Sequence, residues 1–93
     1  MSKAKVRHIL VHDAFICEEF KDDILNGADF AEIARDFSEC PSGQDGGFLG
    51  EFSPGQMVPE FDDVCFNDEV GVLHGPVETE FGFHLIEILE RTD

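Results

Sequence analysis

The sequence predicts one α+β domain in which helices rest on a small sheet, and three observations carry that prediction. Apolar residues alternate near both ends of the chain, recur with helical spacing between Asp13 and Phe37, and are punctuated by turns rich in Gly and Pro. Ninety-three residues suffice for one core, since compact domains run from roughly 50 to 200 residues. Hydrophobic residues make up 42% of the chain and include ten Phe, so that core needs no staple.

The elements follow in order. Lys5 to His12 alternates as a strand, with Val6, His8, Leu10 and His12 on one face and Ile9 and Val11 on the other. Asp13 caps a helix whose stripe is Ile16, Cys17, Phe20 and Ile24, and Asn26-Gly27 stops it. A second helix opens at Asp29, with Glu32 at capping-box spacing, and carries Phe30, Ile33, Ala34 and Phe37 at i, i+3, i+4 and i+7. Residues 40–47 read CPSGQDGG, which predicts a loop. Phe48 to Phe52 is a short strand, Pro54-Gly55 turns the chain, and a third helix from Pro59 buries Phe61, Val64 and Cys65. The connection from Asn67 to Gly75 reads as irregular. Two last strands, Pro76 to Glu80 and Phe83 to Arg91, flank a Phe81-Gly82 turn and pair as a hairpin. The order is therefore β-α-α-β-α-β-β, in one domain spanning 1–93.

Charge narrows the partners. Twenty-one acidic residues against six basic give a formal net charge of −15, which repels phosphate backbones and anionic lipid, so neither nucleic acid nor membrane is an expected partner. The acidity reads as a solubility device or as adaptation to a salty interior, where the Debye length falls to about 3 Å at 1 M salt. No apolar run reaches the roughly 18 residues of a membrane span, and the chain reads as cytoplasmic and monomeric. Cys17, Cys40 and Cys65 are odd in number and widely spaced, matching neither a disulfide framework nor a zinc pattern, so they read as free thiols.

The residues that carry chemistry are few. His84 shares a strand face with Ile86 and Ile88, as His8 does with Val6 and Leu10, so both imidazoles point among apolar neighbours. Each could be a core histidine satisfied by one hydrogen bond; alternatively the two satisfy one another, since a neutral imidazole both donates and accepts.

Five motifs in chain order decide the matter. The segment Arg7-His8-Ile9-Leu10-Val11 is followed by Gly27-Ala28-Asp29-Phe30, by Cys40-Pro41-Ser42-Gly43 with Gly46-Gly47-x-Leu49-Gly50, by Gly55-Gln56-Met57-Val58-Pro59-x-Phe61, and by Gly75-Pro76-Val77-x-Thr79-x-Phe81-Gly82-Phe83-His84. Together they cover nearly the whole chain and resemble the parvulin class of peptidyl-prolyl cis/trans isomerases, most closely the small bacterial-type, PpiC-like members. The resemblance implies a parvulin/FKBP-like fold, with a four-stranded antiparallel sheet surrounded by three or four helices. It implies isomerisation of X-Pro bonds in proline-containing segments of unfolded or folding proteins, in aid of protein folding and without cofactor or metal. It further implies a polar catalytic cluster of His8, Cys40, Thr79 and His84, and a proline pocket lined by Leu49, Met57, Phe61 and Phe81.

The chemistry of imide rotation suits those residue types. Its barrier is about 18–20 kcal/mol because resonance gives the C–N bond double-bond character, and no bond need break. An apolar pocket that holds the pyrrolidine ring and excludes water favours the twisted state over either planar one. Met57 and Phe61 flank Pro59 and so meet at the start of a helix rather than along one face. Three alternatives fit the residues less well. A Cys40 nucleophile would need an oxyanion hole and an orienting group, to which nothing else in the sequence points. A zinc site of His8, His12, His84 and Cys40 lacks compact ligand spacing. A non-catalytic, chaperone-like peptide-binding module would keep the fold, yet every polar position of the cluster holds a fitting residue. The sequence departs from phosphate-directed parvulins after the first strand: His12-Asp13-Ala14-Phe15, with Glu18 and Glu19 beyond, would repel a phosphorylated substrate.

Overall fold

A computed structural model of the chain describes residues 2–92. Four strands form one antiparallel sheet: β1 (Lys3–Val11), β2 (Phe48–Phe52), β3 (Leu73–Thr79) and β4 (Gly82–Thr92), in the spatial order β2-β1-β4-β3. Helices α1 (Ala14–Leu25), α2 (Phe30–Phe37) and α3 (Pro59–Asn67) surround it. The α+β class, the element order and the four-stranded antiparallel sheet expected from the sequence are all present. Strands from opposite ends of the chain lie side by side at the centre, because β1 and β4 are the two with apolar residues on both faces.

Alternation along these strands splits the core in two. Ala4, Val6, Ile86 and Ile88 face α3 and bury with Phe52, Phe61 and Cys65. Ile9, Val11 and Leu85 face the other way and bury with Cys17 of α1, Phe30 and Ala34 of α2, and Leu73. Asp13 caps α1 as expected, its Oδ1 accepting from the backbone N–H of Phe15 at 2.8 Å and of Ile16 at 3.2 Å. Asp29 caps α2 by accepting from Ala31 N–H at 3.1 Å.

Several boundaries differ from the sequence reading. Strand β1 ends at Val11, and His12 lies exposed beyond it, off the face that carries His8. Ile16, placed on the buried stripe of α1, is 43% exposed, because α1 is short of partners on that side. The CPSG segment is not irregular throughout: Pro41–Asp45 forms a 3₁₀ turn, which Pro41 starts with its fixed φ and Gly46 closes at φ +70°. Strand β3 begins at Leu73, inside the stretch read as irregular, since Leu73 joins the buried cluster beneath α1 and pairs with Glu87. The final turn is Glu80-Phe81, and Gly82 already belongs to β4.

Candidate active site

His8 and His84 stand on the two central strands in diagonal register, His8 opposite Ile86 and His84 opposite Leu10. Diagonal partners on one face are within reach of long side chains, and here the two Nδ1 atoms approach to 3.1 Å. The imidazole rings stack at 17° with centroids 5.3 Å apart. Phe61 of α3 sets its ring edgewise against both, at 88° to His8 and 79° to His84. Each histidine is only 4% exposed.

The loop before β2 holds β1 in position for this. Gly47 accepts from His8 N–H at 2.9 Å, and a Cβ at Gly47, whose φ is +87°, would fall 2.3 Å from the His8 carbonyl oxygen. Only glycine lets the loop come so close. Further along β1, Leu10 N–H donates to Ser38 Oγ at 3.0 Å and its carbonyl accepts from Glu39 N–H at 2.8 Å, which carries Cys40 to the edge of the histidine pair.

A chain of hydrogen bonds runs through the site. Thr79 Oγ1 lies 2.7 Å from His84 Nε2, the histidines share the Nδ1–Nδ1 contact, His8 Nε2 lies 3.1 Å from Ser42 Oγ, and the Ser42 hydroxyl donates to Cys40 Sγ at 3.2 Å. A neutral imidazole has one N–H and one bare nitrogen, so with the Ser42 hydroxyl as donor to Cys40 the rest of the proton order follows. Ser42 gives its proton to sulfur and accepts from His8 Nε2–H; His8 Nδ1 then accepts from His84 Nδ1–H, and His84 Nε2 accepts from Thr79. Thr79 Oγ1 in turn accepts from Phe81 N–H at 3.2 Å. Burial, reinforced by the neighbouring His84, lowers the pKa of His8 to about 4, and burial lowers that of His84 too. Both imidazoles are therefore neutral at physiological pH.

Above this chain opens a groove of about 380 Å³ lined by His8, Leu10, Glu39, Cys40, Pro41, Leu49, Met57, Val58, Phe61, Phe81 and His84. Seven of the eight residues singled out from the sequence line it; the eighth, Thr79, is buried behind His84. Met57 sits just before the Val58 cap of α3 and Phe61 within its first turn, the helix-start meeting expected from Pro59. Sequence reading passed over Ser42, Leu10 and Glu39. Ser42 was quoted only as part of a motif, although its spacing of two from Cys40 puts the hydroxyl and thiol together in a 3₁₀ turn. His12 of the weighed zinc set stands apart, bonded to Glu39 on the surface. Among the described residues no group of three or more His, Cys, Asp and Glu is placed to hold a metal.

The family known as the PPIC-type PPIASE domain, or rotamase, matches residues 14–90. The foldase protein PrsA 4 of Bacillus cereus is 42% identical over 98% of the chain, which spans 33% of that relative's length. The chain thus covers about a third of the curated relatives it matches. Among solved structures, PrsA of Bacillus anthracis superposes with a TM-score of 0.94 at 34% identity, over 99% of this chain and 43% of that one. NmPin, the parvulin of Nitrosopumilus maritimus, superposes with a TM-score of 0.85 at 32% identity, over 97% and 98% of the two chains. With the sheet, the paired histidines and the apolar groove in place, these likenesses settle the family: the chain belongs to the PpiC-type parvulins, and is a peptidyl-prolyl cis/trans isomerase domain.

Proposed function

We propose that the domain assists protein folding by rotating X-Pro bonds in unfolded or flexible segments, with catalysis by desolvation and shape rather than by proton transfer. The observation that carries this reading is the chain from Thr79 to Cys40, in which the proton of each hydroxyl and imidazole already has an acceptor inside the protein. A neutral, internally satisfied floor offers no acid or base to spare. It does offer a rigid polar surface under a groove walled by Leu49, Met57 and Phe61. The pyrrolidine ring sits against those apolar walls, and the carbonyl before it lies over Cys40 and His8. Closing water away removes the solvation that favours the planar, more dipolar amide, and the groove accepts the twisted amide better than either planar form. Phe81, 55% exposed at the rim, covers the segment from outside.

Substrates need no phosphate on this reading, because the segment entering α1 presents Asp13, Glu18 and Glu19, all exposed. The formal charge of −15 supports peptide clients over nucleic acid or anionic lipid. Cys17 and Cys65, buried on opposite faces of the sheet, and Cys40 in the groove are free thiols, in keeping with a reducing, cytoplasmic setting.

A protease-coupled or NMR exchange assay on an Ala-Pro peptide tests the proposal. Removing one imidazole leaves a buried partner unpaired, at a cost of roughly 1–3 kcal/mol in stability. His8→Ala and His84→Ala are each expected to lower kcat/KM by about tenfold or more, as the floor of the groove loses its shape, while circular dichroism shows the fold retained. Peptide binding without any acceleration by the intact chain would contradict it.

A further inference from the structure

A second depression, of about 420 Å³, lies on the far side of Glu39 from the histidine groove. Its walls are Val11, Ile16, Phe20 and Phe37, and its polar residues are His12, Asp13 and Glu39. Glu39 lines both depressions, so the two adjoin at this residue. Among the described residues Glu39 is the one charged side chain that lines the histidine groove, the two imidazoles being neutral. Its carboxylate is half-exposed and accepts a hydrogen bond from the His12 ring.

The chemistry of this depression is that of a long cationic side chain. Lys and Arg lay their methylene stems along apolar surface and keep the charged head at a polar edge. Here Ile16 is 43% and Phe37 54% exposed, supplying apolar wall that the fold leaves uncovered, while Asp13 and Glu39 supply the acidic edge. Phe37, whose ring packs 5.0 Å from that of Phe20, also presents an aromatic face to a cation. Among the described residues no Lys or Arg lines the depression.

We propose that this depression is a specificity subsite for a Lys or Arg flanking the substrate proline, with Glu39 as the residue that selects it. The proposal rests on the histidine groove being the proline site, since it places the cation beside that groove.

Peptides carrying Lys, Ala or Glu on either flank of the proline test it, by affinity from NMR titration and by kcat/KM in the same samples. Half-exposed ion pairs are worth up to about 1 kcal/mol, so attraction to Lys and repulsion of Glu together give roughly tenfold discrimination at one flank. That preference is expected to fade in 1 M KCl, where screening shortens to about 3 Å. Glu39→Gln is expected to abolish most of it. Glu69→Gln, which removes the same charge from the connection between α3 and β3, is expected to retain it. Equal affinity for Lys and Glu peptides at low salt would overturn the proposal, as would equal losses from the two variants, which would make the preference a property of net charge alone. Charge-selective binding without turnover would overturn the isomerase reading and uphold the subsite.

Discussion

The two faces of the sheet solve the same problem differently. On the face toward α3, β1 and β4 bury two polar rings and pair them with each other, without charge, beneath an open groove. On the opposite face the same strands place Arg7 and Glu87, joined at 2.5 Å and about a quarter to a third exposed, with the guanidinium 4.4 Å over the ring of Phe30. There the charge reaches water at the edge of the sheet. One face pairs its polar groups without charge beneath a groove; the other pairs opposite charges at its margin. A polar group buried under a cavity must be neutral, since burying an unpaired charge costs far more than a hydrogen bond returns.

The largest expected effects separate packing from catalysis. Phe61→Ala and Phe30→Ala each remove a buried ring, 3% and 2% exposed, and each is expected to cost about 3–5 kcal/mol in urea unfolding. Compared at equal folded fraction, Phe61→Ala is expected to have lost most isomerisation, because its ring seals the histidines, whereas Phe30→Ala keeps it. Equal activities per folded molecule would erase the distinction between the faces.

A pH series probes the neutral face next. A histidine whose folded pKa lies below its unfolded value of 6.5 stabilises the fold in full above pH 6.5. Below that the unfolded chain takes the proton first, and stability falls until about pH 4, where folded His8 is protonated as well. The shift corresponds to about 3 kcal/mol. Many carboxylates titrate in the same window, so the informative quantity is the difference between wild type and His8→Asn. Wild type is expected to lose stability more steeply between pH 6.5 and 4; parallel curves would contradict a neutral buried His8.

The smallest effect belongs to the charged face. Arg7→Ala removes a partly exposed ion pair and a cation–π contact, and is expected to cost about 1 kcal/mol with kcat/KM unchanged.

Much of this was legible in the sequence because it is local. Asp13 and Asp29 announce helix starts by the side-chain oxygen they offer, and the alternation around His8 and His84 announces which way those rings point. The resemblance supplied the groove, through Leu49, Met57 and Phe61. What was not legible depends on partners distant in sequence. Leu73 reads as loop because the residues it buries with, Cys17 of α1 among them, lie far away in the chain. Ser42 looked like one more loop polar residue until His8, 34 positions earlier, came within 3.1 Å of it. Ile16 looked like core because periodicity reports a stripe but not where the stripe runs out of neighbours.

The central claim is that the histidines act as a neutral pair shaping a dry groove. The most direct test is ¹⁵N NMR of both imidazoles from pH 8 to 5, with prolyl isomerisation of a non-titrating peptide followed in the same samples. The account predicts one protonated nitrogen per ring at neutral pH, titration of both rings below the ordinary value of 6.5 with His8 the lower at about 4, and a flat rate above pH 7. A ring that titrates near pH 7 together with a bell-shaped rate profile would show acid–base catalysis and contradict it.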